Sequence, residues 1–169
     1  MAKPTRNAHP DRIGRSSRTF FATTKTSQGR RLLQSDRNAG LMIDVLRSYV
    51  AAGRLRLHDF VIMPDHLHLL VTVGSDMTIE RAIQLIKGGF SYRLRKEFGY
   101  LGEVWQRGFS ETRVEDRRSF LQHREYIRAN PVKAGLAESA ARFLHCFTYL
   151  AQSKASAAKA ADKAAERPD

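Results

Sequence analysis

The chain has 169 residues, 42% of them hydrophobic, and a formal net charge of +12 at neutral pH. That length suits one domain with a core of its own. The last 19 residues hold four Lys/Arg against three Asp/Glu, so +11 belongs to residues 1–150 and the excess is a property of the body, not of a tail. Such a charge points to a polyanionic partner, nucleic acid first and an anionic membrane surface second. No apolar run approaches the roughly 18 residues of a spanning helix, and the N-terminus carries no apolar signal-peptide core. One cysteine, Cys146, excludes an internal disulfide framework. The expectation is a cytoplasmic protein with no membrane partner.

In chain order, residues 1–17, with Lys3, Arg6, Arg12 and Arg15, read as a flexible basic arm. Arg18 to Thr26, with Phe20, Phe21 and several threonines, reads as a first strand. Asp36 is the expected cap of a helix to about Ala52, with Ile43, Leu46 and Val50 inward and Gly53 as the stop. Arg54 to Met63 is a second strand, which Pro64-Asp65 turns straight into a third, making a hairpin. In that third strand Leu67, Leu69, Val71 and Val73 alternate onto one face, and His66, His68, Leu70 and Thr72 onto the other.

Asp76 or Thr78 then caps a long helix on which Ile79, Ile83, Ile86, Phe90, Leu94 and Phe98 recur every three or four residues. Its other faces carry Arg81, Lys87, Arg93, Arg95 and Lys96, a basic surface suited to DNA phosphates. Gly88-Gly89 costs ~1 kcal/mol per glycine in helix propensity. The pair marks either a kink or the close approach of another backbone such as DNA. Gly99 and Gly102 end the element. Glu103 to Val114 reads as a strand, and Asp116 opens a helix through about Ala129 that Asn130-Pro131 stops. Val132 to Gly135 is a turn, Glu138 to Leu150 fits a short helix or a strand equally, and residues 151–169 read as an Ala/Lys-rich disordered tail. The organisation is therefore an arm (1–17), one domain (18–150) and a tail (151–169). The fold class is α+β, an antiparallel sheet with helices packed on one face.

His66 and His68 are i, i+2 on a strand, about 6.5–7 Å apart, so both imidazoles reach one metal ion. Alone, such a pair also reads as two polar residues on a solvated strand face. On the helix from Asp116, about 100° per residue puts Ile127 and Leu121 toward the core side marked by Phe120. Tyr126 and Asn130, i and i+4, project together well off that stripe. Alone, Tyr126 reads equally as a rim aromatic. Together, two histidines, a helical tyrosine and an amide oxygen suit phosphoryl chemistry, in which a bound metal polarises a phosphodiester as the tyrosine attacks.

Met63-Pro64-Asp65-His66-Leu67-His68-Leu69-Leu70 resembles the His-hydrophobic-His motif of the single-tyrosine transposases. Trp105-Gln106-Arg107-Gly108-Phe109 and Tyr126-Ile127-Arg128-Ala129-Asn130-Pro131-Val132-Lys133-Ala134-Gly135-Leu136 resemble their REP-associated branch, and the likeness spans about residues 18–136. The resemblance implies that His66, His68 and Asn130 are ligands of Mg²⁺ or Mn²⁺ and that Tyr126 is the nucleophile. It also implies a ferredoxin-like or RRM-like sheet, single-stranded DNA beside a palindromic hairpin as substrate, and a monomer rather than the homodimer of related transposases. Arg107 and Lys133 join the helical Arg81, Lys87, Arg93 and Arg95 as expected DNA contacts, and the protein would be nucleoid-associated. Two departures stand out: Asp65 replaces the family's usual asparagine and adds an outer carboxylate beside the ligands, and residues 137–150 lack the family's Pro/Trp/Ser segment.

His58 is an alternative partner for the histidine pair, His123 a neighbour that tunes Tyr126, and His145 a third candidate. Cys146 lies in no nucleophile motif. The leading expectation is a metal-dependent DNA-nicking and strand-transfer enzyme. The alternatives are a non-catalytic hairpin-binding regulator on the same fold and a replication- or relaxase-type nickase.

Overall fold

The computed structural model describes residues 17–165, with side chains described to residue 159. Apart from Ser17, the basic arm expected over residues 1–17 lies outside the described residues. The chain runs β1 (Arg18–Lys25), α1 (Asp36–Ala51), β2 (Arg56–Met63), β3 (His66–Val73), α2 (Ile79–Phe98), β4 (Ser110–Val114), α3 (Arg117–Lys133) and α4 (Phe147–Ala165). The four strands form one antiparallel sheet in the order β2-β3-β1-β4, the split β-α-β arrangement of ferredoxin-like folds. The α+β class expected from the sequence is the one observed.

One face of the sheet presents Phe20, Ala22, Phe60, Ile62, Leu67, Leu69, Val71 and Val73 to α1 and α2, and this is the main core. The other face carries the histidines, and α3 lies across part of it. Ile127 packs there in a smaller cluster with Val61, Met63, Leu70, Val114 and Cys146. The sequence pattern does not place this second layer, because α3 buries only Ile127 and Pro131. Its expected core residue Leu121 is exposed, as is Val50 on α1.

Several ends differ from expectation for local reasons. Ser35, not Asp36, caps α1, its hydroxyl accepting from the Asn38 N–H. Thr78, not Asp76, caps α2, accepting from the Arg81 N–H. The paired glycines do not kink α2, which is continuous. A Cβ at Gly89 would stand 2.7 Å from Tyr49 Oη, so the glycine admits a side chain of α1 rather than another backbone. That hydroxyl donates to the Leu85 carbonyl. Within Glu103 to Val114 only Ser110–Val114 is strand; the earlier part is a loop tied to the end of β1 by a Thr26–Trp105 bridge.

Helix α3 passes through Pro131 and stops four residues later than expected. Leu136 N–H donates to Pro131 O and Gly135 N–H to Val132 O, with Gly135 at φ 69°, which is a Schellman end that glycine accepts and that outweighs the missing proline N–H. Residues 138–150 resolve as a single turn at Ala140–Arg142, then a bridge from Cys146 to Val61 along the β2 edge, then the start of α4. His145 contributes to that strap, its carbonyl accepting from Ile62 N–H and its Nε2 lying 2.8 Å from Asp36 Oδ1. Where the sequence reads a disordered tail, α4 continues to Ala165, with side chains 151–159 all exposed. Among the described residues no helix is long and apolar enough to cross a membrane.

Candidate metal and tyrosine site

The β2–β3 hairpin sets the site. Its two-residue turn pairs Met63 with His66, so His66 and His68 sit at the closed end, on the face opposite the main core. Their rings lie 4.7 Å apart centre to centre. Each has its Nδ1 occupied: that of His66 is 2.7 Å from Asp65 Oδ1, and that of His68 is 2.7 Å from Thr23 Oγ1 on β1. Both Nε2 atoms are thereby left for another partner. Asp65 is in place as the outer carboxylate the sequence suggests, orienting the ring it touches.

His68 is only 5% exposed. Burial, with the neighbouring charges of His66 and Lys25, pushes its pKa down from 6.5 to about 4, against a smaller upward pull from the Asn130 side chain. The ring is therefore neutral at pH 7, the form that ligates metals. Its Nε2 is buried without a hydrogen-bond partner among the described residues; Asn130 lies near enough to influence it without making a well-formed bond. Buried polar atoms are almost always satisfied, so a lone pair held open here fits a metal ligand. Asn130 Nδ2 donates to the Tyr126 carbonyl, leaving its amide oxygen free as a third donor. Among the described residues no group of three His, Cys, Asp or Glu side chains is placed to hold a metal, so the amide oxygen is needed to complete a set.

Tyr126 is 48% exposed, its ring 5.3 Å from that of His68. Phe21 of β1 is the common platform: it stacks on His68, meets Tyr126 edge-on at 5.6 Å and carries the His123 ring at 4.7 Å. His66, His68, Tyr126 and Asn130 thus come together as expected from sequence. His123 shares the platform, with its Nδ1 2.8 Å from the Ser119 carbonyl. His58 does not partner the pair; its Nε2 is 2.6 Å from Thr72 Oγ1.

The sequence-predicted DNA contacts separate. Arg81, Arg93 and Arg95 are on α2, in the layer behind the sheet, where Arg93 pairs with Glu97 and Arg81 with Gln84. Lys87 is a correction: its ammonium is half-buried and donates to the carbonyls of Gln106 and Gly108, while Trp105 Nε1 donates back to the Lys87 carbonyl. Burial lowers its pKa. It is a strut for the loop before β4. That loop reaches the histidine end, since Gln106 N–H donates to Lys25 O and Lys25 pairs with His66. The exposed Arg107 follows directly, and exposed Lys133 lies in the last turn of α3, one turn past Asn130.

Sequence reasoning missed Thr23, Phe21 and Asp59. The first two are chosen by cross-strand register, which no local pattern shows. Asp59 is 1% exposed on β2, beside Arg124 and Arg128 of α3. A lone carboxylate in the apolar run Phe60 to Met63 was its signal.

The fold and site define a class: small α+β proteins that set a strand-borne histidine couple under a helix-borne tyrosine. The sequence model of the IS200-like transposases matches residues 19–130, and the chain belongs to that family. Two proteins of Haemophilus influenzae are similar to it. One, named only as uncharacterized, is 30% identical over 101 residues, 47% of this chain and 56% of the relative's own length. The other, provisionally named a REP-associated tyrosine transposase, is 27% identical over 124 residues, 63% of this chain and 70% of the relative. Among solved structures, a REP-associated tyrosine transposase bound to a REP hairpin superposes with a TM-score of 0.64 at 23% identity, covering 88% of this chain and 84% of its own. A provisionally named transposase from Deinococcus radiodurans gives 0.52 at 20% identity, covering 75% and 95%. At those identities the structures establish the shared fold.

Proposed function

We propose that the protein is a metal-dependent endonuclease and strand transferase for single-stranded DNA beside REP-type hairpins, working through a covalent phosphotyrosine at Tyr126. The observation that carries this reading is the buried, unpartnered Nε2 of a neutral His68 beside the Tyr126 ring. His66, His68 and Asn130 would hold Mg²⁺ or Mn²⁺, with water completing the shell. When bound, the ion supplies Lewis-acid polarisation of the phosphodiester and shields its charge. Asp65 and Thr23 orient the two rings. Phe21 holds Tyr126 beside them while leaving its hydroxyl side open to a strand. The tyrosine oxygen bonds to phosphorus as one ester P–O bond breaks, the phenolic proton passes to solvent, and the released oxygen is protonated to a hydroxyl. Because Tyr126 already lies against His68 of its own chain, the protein acts as a monomer.

The hairpin reading is supported by the family and by the fold shared with the hairpin-bound neighbour. The test is incubation with end-labelled hairpin-bearing single-stranded DNA and Mg²⁺, followed by denaturing electrophoresis. A denaturation-stable adduct is expected from the wild type. Tyr126→Phe should abolish it with DNA affinity retained; an undiminished adduct would assign the chemistry to another tyrosine.

A further inference from the structure

Helix α3 carries both Tyr126 and Asn130, yet its apolar hold on the sheet is slight, resting on Ile127 and Pro131 alone among its 17 residues. A second attachment is ionic. Asp59 Oδ2 lies 3.5 Å from Arg124 Nε and 3.4 Å from Arg128 Nε, ion-pair rather than tight hydrogen-bond distances. Its Oδ1 accepts from the Phe60 N–H at 2.9 Å. The residue stands where the β2–β3 register shifts between Leu57 and Asp59, an irregularity that marks a deliberately placed side chain.

The helical angles show what this attachment does. With Arg124 at 0° and about 100° per residue, Arg128 falls near 40°, Ile127 near 300° and Pro131 near 340°. Tyr126 and Asn130 fall near 200° and 240°. The apolar contact therefore acts as a keel on the sheet. The arginines reach down to β2 on one flank, and Tyr126 and Asn130 lie on the other flank toward His68. A keel of two residues does not set the roll of a helix, whereas a pair of ion pairs on one flank does.

Resting on the function proposed above, we infer that Asp59 is a positioning residue: by holding Arg124 and Arg128 it fixes the roll of α3, and so holds Tyr126 and Asn130 against the histidine pair. Asp59 touches neither the ligands nor the tyrosine, so its effect is on geometry. Misplacement by 1 Å can cost about a hundredfold in rate.

The test is Asp59→Asn, which keeps the side chain's volume and an oxygen for the Phe60 N–H but removes the charge. Both arginines are about a third exposed and can turn to water, so the fold should persist. At saturating hairpin DNA, single-turnover adduct formation should fall by at least about tenfold, with the DNA concentration for half-saturation unchanged. A merely structural role predicts instead an adduct rate that matches wild type in the fraction still folded, and that result would overturn the inference. If Asp59→Asn does not fold at the assay temperature, Arg124→Lys with Arg128→Lys keeps both charges but loses the guanidinium reach. The same rate loss is then expected, and a wild-type rate would overturn the inference equally. Absence of adduct from the wild type itself would count against the proposed function.

Discussion

The environment of His68 has a measurable thermodynamic signature. Its pKa is about 4 in the folded protein and 6.5 in an unfolded reference. The unfolded chain therefore takes up a proton more readily between those values, and stability is lost as pH falls through the window. With these two values, linkage gives a loss of about 2 kcal/mol between pH 7.5 and pH 5, and almost none between pH 7.5 and pH 9. At a urea m-value of about 2 kcal/mol/M, the unfolding midpoint should drop by about 1 M. The assay is urea unfolding followed by circular dichroism, in EDTA so that no ion competes with the proton. His68→Gln, neutral throughout, is the control. His58, whose pKa burial also lowers, and Asp59, whose pKa burial raises, contribute with opposite signs and are common to both proteins. The difference between the two proteins isolates His68. Parallel pH dependence in wild type and His68→Gln would refute the claim that this ring is held neutral by burial.

Two further outcomes follow from the loop before β4 and from the charge. Lys87→Met frees the Gln106 and Gly108 carbonyls, and should cost about 1–3 kcal/mol while red-shifting the emission of Trp105, the single tryptophan. An unchanged spectrum and stability with weakened DNA binding would return Lys87 to the DNA contacts. Affinity for hairpin-bearing single strands should fall with salt at a slope of about −0.7 per phosphate neutralised. Arg107→Ala should flatten that slope, whereas a flat response in the wild type would exclude backbone contacts as the source of affinity.

The sheet and the metal–tyrosine set were legible because both write themselves locally. Alternation places His66 and His68 on one face, and i, i+4 spacing couples Tyr126 to Asn130. What was not legible depends on contacts between distant segments. Thr23 meets His68 only through the β1–β3 register, and Phe21 becomes a platform only once α3 crosses the histidine face. Lys87 looks like any basic residue on an exposed helix until the loop folds over it. Pro131 looks like a stop because the strength of the Gly135 end is invisible in a propensity count. Asp59 was the one distant contact with a visible trace, a buried charge in an apolar strand that had to find a partner.

The central claim is a metal-assisted phosphotyrosine step at this site. It is tested most directly by adduct formation between wild-type protein and labelled hairpin DNA in EDTA, in Mg²⁺ and in Mn²⁺. Adduct should form with either ion, vanish in EDTA, and vanish under every condition when His66 and His68 are both alanine, with hairpin binding retained. Equal adduct with and without the ions would remove the metal from the mechanism. Tight binding with no adduct under any condition would contradict the enzyme and leave a hairpin-binding regulator.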